Sequence, residues 1–331
     1  MKLTAWAVAK YIFLLLIGIG IIYFAFKDQL NASFFQDLKN ANWKWTVFSG
    51  CSILIAHFFR SLRWSLMIDP EETIKPKIHN VFAALMIGYS ANLIIPRAGE
   101  LARCVWLSKK EKLNTLSLIG TVIAERIIDL LSLIIVILFA AIIYSDFFSI
   151  WMYNFNLKSI FEHYQKLLLI FISIAIILVL VYFLFAKKQQ KLINKLNQLY
   201  QQLMKGVYAI AKIKKKGFFI IYTLMIWVFY ILSSYFCFKV FTETAILGYG
   251  AAVLSVVAGS FGMIVPIQGG IGAYHLIVTE CLVLLKIDKT IALEFATVLH
   301  AVQTLIVIIV GLLAVILGTE RKSELKDEKA Q

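Results

Sequence analysis

Gly88-Tyr-Ser-Ala-Asn-Leu-Ile-Ile-Pro96-Arg97-Ala-Gly99-Glu100-Leu-Ala-Arg103 interrupts one long apolar run, and Gly259-Ser-Phe-Gly262-Met-Ile-Val-Pro266-Ile-Gln-Gly269-Gly270-Ile-Gly272 interrupts another. Both interruptions contain Pro-x-x-Gly, 170 residues apart (266 − 96), about half of a 331-residue chain. Proline ends a helix and glycine allows the backbone to turn, so each run divides into two short helical pieces. Gly/Pro-interrupted hydrophobic segments in corresponding places of two halves point to a transporter-type binding site between them.

The rest of the chain sets those breaks in a membrane. It is 61% hydrophobic, well above a soluble domain, and a spanning helix needs roughly 20 apolar residues. Six stretches meet that length: Thr4–Phe26, Trp45–Met67, Leu116–Tyr144, Leu167–Ala186, Phe218–Phe241 and Ile291–Leu317. The broken regions are Ile78–Lys109 and Gly248–Leu285. Each fits a re-entrant hairpin of half-helices, and two ordinary short helices are the competing description. Lys2 and Lys10 precede the first run and no small-residue cleavage site follows it, so a retained first helix is expected.

Basic residues orient this plan. They flank the first broken region (Lys75, Lys77, Lys109, Lys110, Lys112), fill 187–216 and end the chain, whereas Ser145–Tyr164 and Thr242–Leu247 are poor in them. The positive-inside rule puts both termini and the central linker in the cytoplasm. The first break then opens from the cytoplasmic side and the second from the outer side. With three crossings per half, the second half is inverted.

The expected fold is therefore an all-α polytopic membrane bundle of six spanning helices plus two re-entrant broken-helix hairpins in an inverted repeat. It forms a single transmembrane domain over 1–317, with halves of about 1–145 and 165–317 and a charged tail over 318–331. Within the second half, Leu192, Leu196, Leu199, Leu203, Val207 and Ile210 recur at helical spacing among Lys and Gln. A basic amphipathic helix over 187–216 follows, lying on the anionic leaflet or packing on the helix ends. The net charge of +14 reads as topology signal and lipid attraction, not as nucleic-acid binding. The four cysteines are widely separated, without metal or redox spacing, and read as small apolar residues.

Ionisable groups inside apolar segments carry the functional argument. Arg97, Glu100 and Arg103 follow Pro96, and Glu125, Arg126 and Asp129 sit in an otherwise apolar helix, with Glu125 and Asp129 on one face. The acids have two readings: a salt-bridge network joining Arg97 or Arg103 to Glu125 or Asp129, or a response to a bound head group. The arginines are candidates for holding phosphate in a bidentate fork. His57, Arg60 and Arg63 recur at three-residue steps, and snorkelling toward the head groups is the expectation for the two arginines. Around the second break, Pro266, Gly269, Gly270 and Gly272 permit close backbone approach to an anion, and His275 is the nearby titratable group. Gln268, Glu294, His300 and Gln303 are further polar groups there. No nucleotide loop, zinc-protease motif, nucleophile elbow or kinase signature occurs, and no cofactor or metal is expected.

Gly88 to Arg103, Glu125-Arg126-Ile-Ile-Asp129 and Pro266-Ile-Gln-Gly269-Gly270-Ile-Gly272 together resemble three signature stretches of the lysylphosphatidylglycerol synthase transmembrane region. This group is also called the flippase-like domain family and includes the lipid-flipping half of the bacterial multiple peptide resistance factor. The pair Arg63-Trp64 fits as well, and the similarity runs from about Thr4 to Leu317. It implies a multi-pass protein of the bacterial cytoplasmic (inner) membrane whose partners are membrane lipids, anionic or polyprenyl-phosphate-linked. A homo-oligomer or a synthase partner is compatible with it. His275 stands where family members often carry an acid. The chain ends shortly after its last helix, with no soluble aminoacyl-transferase domain, so synthesis of lysylphosphatidylglycerol by this chain alone is not expected. Three functions stay open: a flippase-like lipid transporter, an intramembrane transferase or accessory subunit of a glycolipid or aminoacyl-lipid system, and a non-catalytic scaffold. The transporter is favoured over an enzyme.

Overall fold

A computed structural model describes residues 32–70, 76–145, 190–265 and 267–327, with a few isolated positions besides. The expected spans Thr4–Phe26 and Leu167–Ala186 and the loop Ser145–Tyr164 lie almost wholly outside the described residues, as does Pro266.

The described residues are helical and contain no strand. In order they form α1 (Ala32–Asn40), α2 (Lys44–Ile68), α3 (Ile78–Ile94), α4 (Gly99–Glu111), α5 (Thr115–Ile143), α6 (Gln190–Val207), the single turn α7 (Ala209–Lys212), α8 (Lys216–Phe238), α9 (Tyr249–Ile264), a 3-10 turn (Gln268–Gly270), α10 (Ala273–Leu284) and α11 (Lys289–Asp327). Local chemistry sets the ends. The Asn114 side chain accepts the Ser117 N–H at 3.0 Å to start α5, and Asp288 accepts the Thr290 N–H at 2.8 Å to start α11. Helix α3 stops just before Pro96, as the clash between proline and the residue before it requires.

Three helices, Thr115–Ile143, Lys216–Phe238 and the Lys289–Ile316 part of α11, are long and apolar enough to cross a membrane. Helix α2 has 25 residues, but His57, Arg60 and Arg63 interrupt its apolar character. The outward face of α5 carries Ile127, Leu131, Ile135, Leu138 and Ile142, all exposed. A continuous apolar face of this size has no place in water, and lipid is its natural neighbour.

Helices α2 and α8 pack side by side at the centre, where Ser49 and Ser233 share a buried hydroxyl hydrogen bond of 2.9 Å and Phe59 stacks on Phe229. Each broken region folds into a pair, α3 on α4 and α9 on α10. Their surroundings match crosswise. Helix α3 packs on α2 and on α11, whereas α9 packs on α8 and on α5. The first helix of each pair therefore touches the last helix of the opposite half.

The periodic segment in the linker does form a helix, α6, and α6 lies against α5. At the crossing, a Cβ on Gly120 would collide with the Leu203 carbonyl, and one on Gly206 with the Ser117 carbonyl. Two glycines facing each other let the backbones meet, as small residues do between membrane helices. Gly120→Val or Gly206→Val should cost roughly 1–3 kcal/mol through overpacking. The expected result is a lower thermal unfolding midpoint of the purified protein, with no change for Gly217→Ala, where a Cβ meets nothing within 4 Å.

Candidate functional site

The site begins with the two breaks, which meet. Arg97, in the left-handed region at φ 65°, sends its guanidinium across to the carbonyl of Ile264, the last residue of α9, at 2.5 Å. Gln268 returns the contact by donating to the carbonyl of Ile94, the last residue of α3, at 2.9 Å. Each broken helix thus satisfies a terminal carbonyl of the other. The Gly99 N–H at the start of α4 is capped by Asn92 at 2.7 Å. On the other side, Gly269, Gly270 and Gly272 all take positive φ, which a larger residue resists. The Gly269 carbonyl is held by His300 Nε2 at 2.8 Å.

Behind the breaks lies an ion-pair network. Glu125 is fully buried and held from both sides, by Arg60 Nε at 2.8 Å and Arg103 Nη2 at 2.9 Å, with Arg63 at 3.7 Å. Asp129, one turn on, pairs with Arg63 Nη2 at 2.5 Å and with Arg60. Arg126 turns outward, 42% exposed, to Glu100 at 3.1 Å and Asp129 at 3.5 Å. The Arg103 guanidinium lies 4.5 Å over the Trp64 ring, whose N–H donates to Thr121 at 2.9 Å. Arg60 also donates to the Tyr230 hydroxyl at 3.3 Å, linking α2 to α8.

The helical spacing of Glu125 and Asp129 therefore does put both acids on the face toward α2, and the expected pairing of Arg103 with Glu125 is present. Two expectations change. Arg97 leaves the acids alone and caps the opposite break. Arg60 and Arg63 do not snorkel: they are 6% and 0% exposed. The two carboxylates on α5 hold them inside, which outweighs their attraction to head groups.

Between the network and the breaks is a cavity of about 450 Å³, lined by residues from both halves. Arg60, Arg97, Arg126 and Asp129 supply its charge, and His57, Tyr89, Tyr230, His300 and Gln303 supply further polar groups and rings. Of the residues singled out in the sequence, His57, Arg60, Arg97, Arg126, Asp129, Gly269, His300 and Gln303 reach the cavity wall. Arg103 and Glu125 lie behind it, and Glu100 stands beside Arg126. Gly270 and Gly272 form the second turn, and His275 sits in the first turn of α10. The Gly272 N–H points at His275 Nδ1 at 3.4 Å, and the His275 ring meets His300 edge-on at 4.9 Å. This makes His275 a support for His300 in the wall. Tyr89, Tyr230 and Trp227 also line the cavity and were not legible as site residues, because a tyrosine or tryptophan in an apolar helix reads equally well as packing. Among the described residues no group of His, Cys, Asp and Glu is arranged to hold a metal ion.

The family described as the lysylphosphatidylglycerol synthase TM region matches residues 11–311. No curated protein and no solved structure matches the chain significantly. The match covers most of the sequence, and the chain belongs to this family.

Removing the centre of the network should be the most damaging change in the site. Glu125→Gln leaves three guanidinium groups without their shared carboxylate, and breaking a buried pair costs about 3–5 kcal/mol. A large drop in the thermal midpoint in detergent is expected for Glu125→Gln. Arg97→Ala loses one hydrogen bond at an exposed position and should fall by far less, about 1 kcal/mol.

Proposed function

We propose that this member of the lysylphosphatidylglycerol synthase transmembrane-region family is a flippase-like transporter whose cavity receives the phosphate of an anionic lipid or of a polyprenyl-phosphate-linked head group. Family membership carries the coarser statement, a membrane lipid-related protein. The observation that carries the finer one is the charge of the cavity. Five arginines (Arg60, Arg63, Arg97, Arg103, Arg126) gather there and in the network behind it, against three carboxylates (Glu100, Glu125, Asp129), an excess of +2. A phosphate group supplies the missing negative charge, and guanidinium forks hold it well.

In this reading Arg97 and Arg126 touch the phosphate, since both line the cavity and neither is buried by its partners. Arg60, Arg63, Arg103, Glu125 and Asp129 position α2, α4 and α5 around it. Gly269 with Gly270 and Gly272 closes the opposite wall. A volume of about 450 Å³ suits a head group, with the acyl chains left against the apolar outer faces. The carboxylates are saturated by arginines, which favours transport over a transferase that would need a free base or metal ligand.

The crosswise packing of α3 and α9 favours the inverted repeat: six spanning helices with α3–α4 and α9–α10 as re-entrant hairpins entering from opposite sides. The halves run over about 1–145 and 165–317 of one domain, followed by the tail 318–331. Both termini and the linker with α6 face the cytoplasm of a bacterium from its inner membrane.

Reconstitution tests the reading. In liposomes containing the purified protein, fluorescent phosphatidylglycerol should exchange between leaflets faster than in protein-free liposomes and faster than phosphatidylcholine. Arg97→Ala and Arg126→Ala should each slow exchange about tenfold, the worth of one charge-assisted contact. Exchange of anionic lipids no faster than in empty liposomes overturns the proposal.

A further inference from the structure

Glu294 lies two turns into α11, and the charge network does not reach it. It is 0% exposed, and neither carboxylate oxygen has a hydrogen-bond partner. Phe295, Ala292 and Ala296 beside it belong to the apolar core shared by α8, α9, α10 and α11.

The sequence position of Glu294 sharpens this. Glu125 follows Pro96 by 29 residues (125 − 96), and Glu294 follows Pro266 by 28 (294 − 266). Each is the fully buried carboxylate of the long helix that follows a broken pair. Three arginines surround the first. The second has no ion pair, and the acids Asp37 of α1, Glu243 of the loop after α8 and Asp288 at the start of α11 stand at its end of α11. The cations on neighbouring elements are engaged or turned away. Lys239 donates to the Ala245 carbonyl at 2.5 Å, Lys289 pairs with Glu280 at 3.8 Å, and Lys39, Lys44 and Lys286 are exposed.

A buried carboxylate with no cation and no donor is among the most costly groups a protein can contain. The cost disappears when the group carries a proton. We propose that Glu294 is a proton-binding site, loaded from the side of the membrane on which Asp37, Glu243 and Asp288 stand. Glu243 and Asp288 are both exposed. The two halves then hold equivalent acids in opposite states. Glu125 is a fixed anion locked by arginine, and Glu294 is neutral and free to exchange its proton.

Dicyclohexylcarbodiimide tests the assignment, since it adds to a protonated carboxyl in an apolar setting. The acid proton passes to a carbodiimide nitrogen, the carboxyl oxygen bonds to the central carbon, and the adduct rearranges to a stable N-acylurea. The full chain in liposomes is treated over a range of pH and its peptides are weighed. Glu294 should be labelled, less so as the pH rises, while arginine-bound Glu125 stays unlabelled in the same sample. Glu294→Gln, a neutral isostere, should keep the thermal midpoint of the parent protein. Absence of label on Glu294 at every pH overturns the proposal. So does a Glu294→Gln protein that unfolds as early as Glu125→Gln, since that result means a charged, paired carboxylate.

Discussion

A helix broken inside an apolar segment leaves carbonyls that no longer have an N–H one turn ahead, and hydrocarbon supplies no water to replace it. This constraint shapes the protein. Two helices are broken, and each lends a side chain to the other: Arg97 to the Ile264 carbonyl and Gln268 to the Ile94 carbonyl. The exchange needs the two tips in contact, so it fixes how the two broken pairs approach. The cavity is the space left around the junction, with walls from both halves. It also gives a physical reason for the left-handed backbone at Arg97, a conformation that costs energy for a residue with a side chain.

The buried charges form a second layer of the same solution. Four arginines from α2, α4 and α5 arrive where two carboxylates of α5 point inward. Such a network adds little net stability over an apolar core, but it tolerates few other arrangements, because any misplaced member leaves a bare charge. It holds α4 to α5 and α5 to α2, and through Tyr230 it reaches α8. Among the described residues, the second half has no such network. Serines, glycines and aromatic rings take its place, and one carboxyl remains there without a partner. The halves are alike in packing and unlike in charge.

Much of the site was legible because membrane-embedded charge is so costly that its presence alone is informative. Glu125, Asp129 and Arg103 were identifiable from helical spacing within apolar runs. Arg60 and Arg63 were not placed correctly. Arginines near the end of a span look the same in sequence whether they snorkel outward or pair inward, and the difference lies in the acids of a helix 65 residues away. The reach of Arg97 to a carbonyl 167 residues away was likewise invisible. Tyr89, Tyr230 and Trp227 gave no signal, since an aromatic residue that lines a cavity and one that fills a core follow the same pattern. The linker helix α6 was visible in its periodicity. Its seat on α5 depends on two lone glycines, and single glycines in helices have many causes.

By itself the sequence determined that this is a helical membrane protein, where its helices break and which residues carry charge into it. Each of these follows from local chemistry: apolar length, the missing N–H of proline, the cost of an ion in hydrocarbon. Only the tertiary structure decided which charges cancel and which face open space. Arg103 and Arg97 stand six residues apart in the same motif, yet one is sealed under Trp64 against Glu125 and the other spans the junction at the cavity. Partner choice among charges depends on distances across the bundle, and those exist only once α2, α5 and α8 have packed.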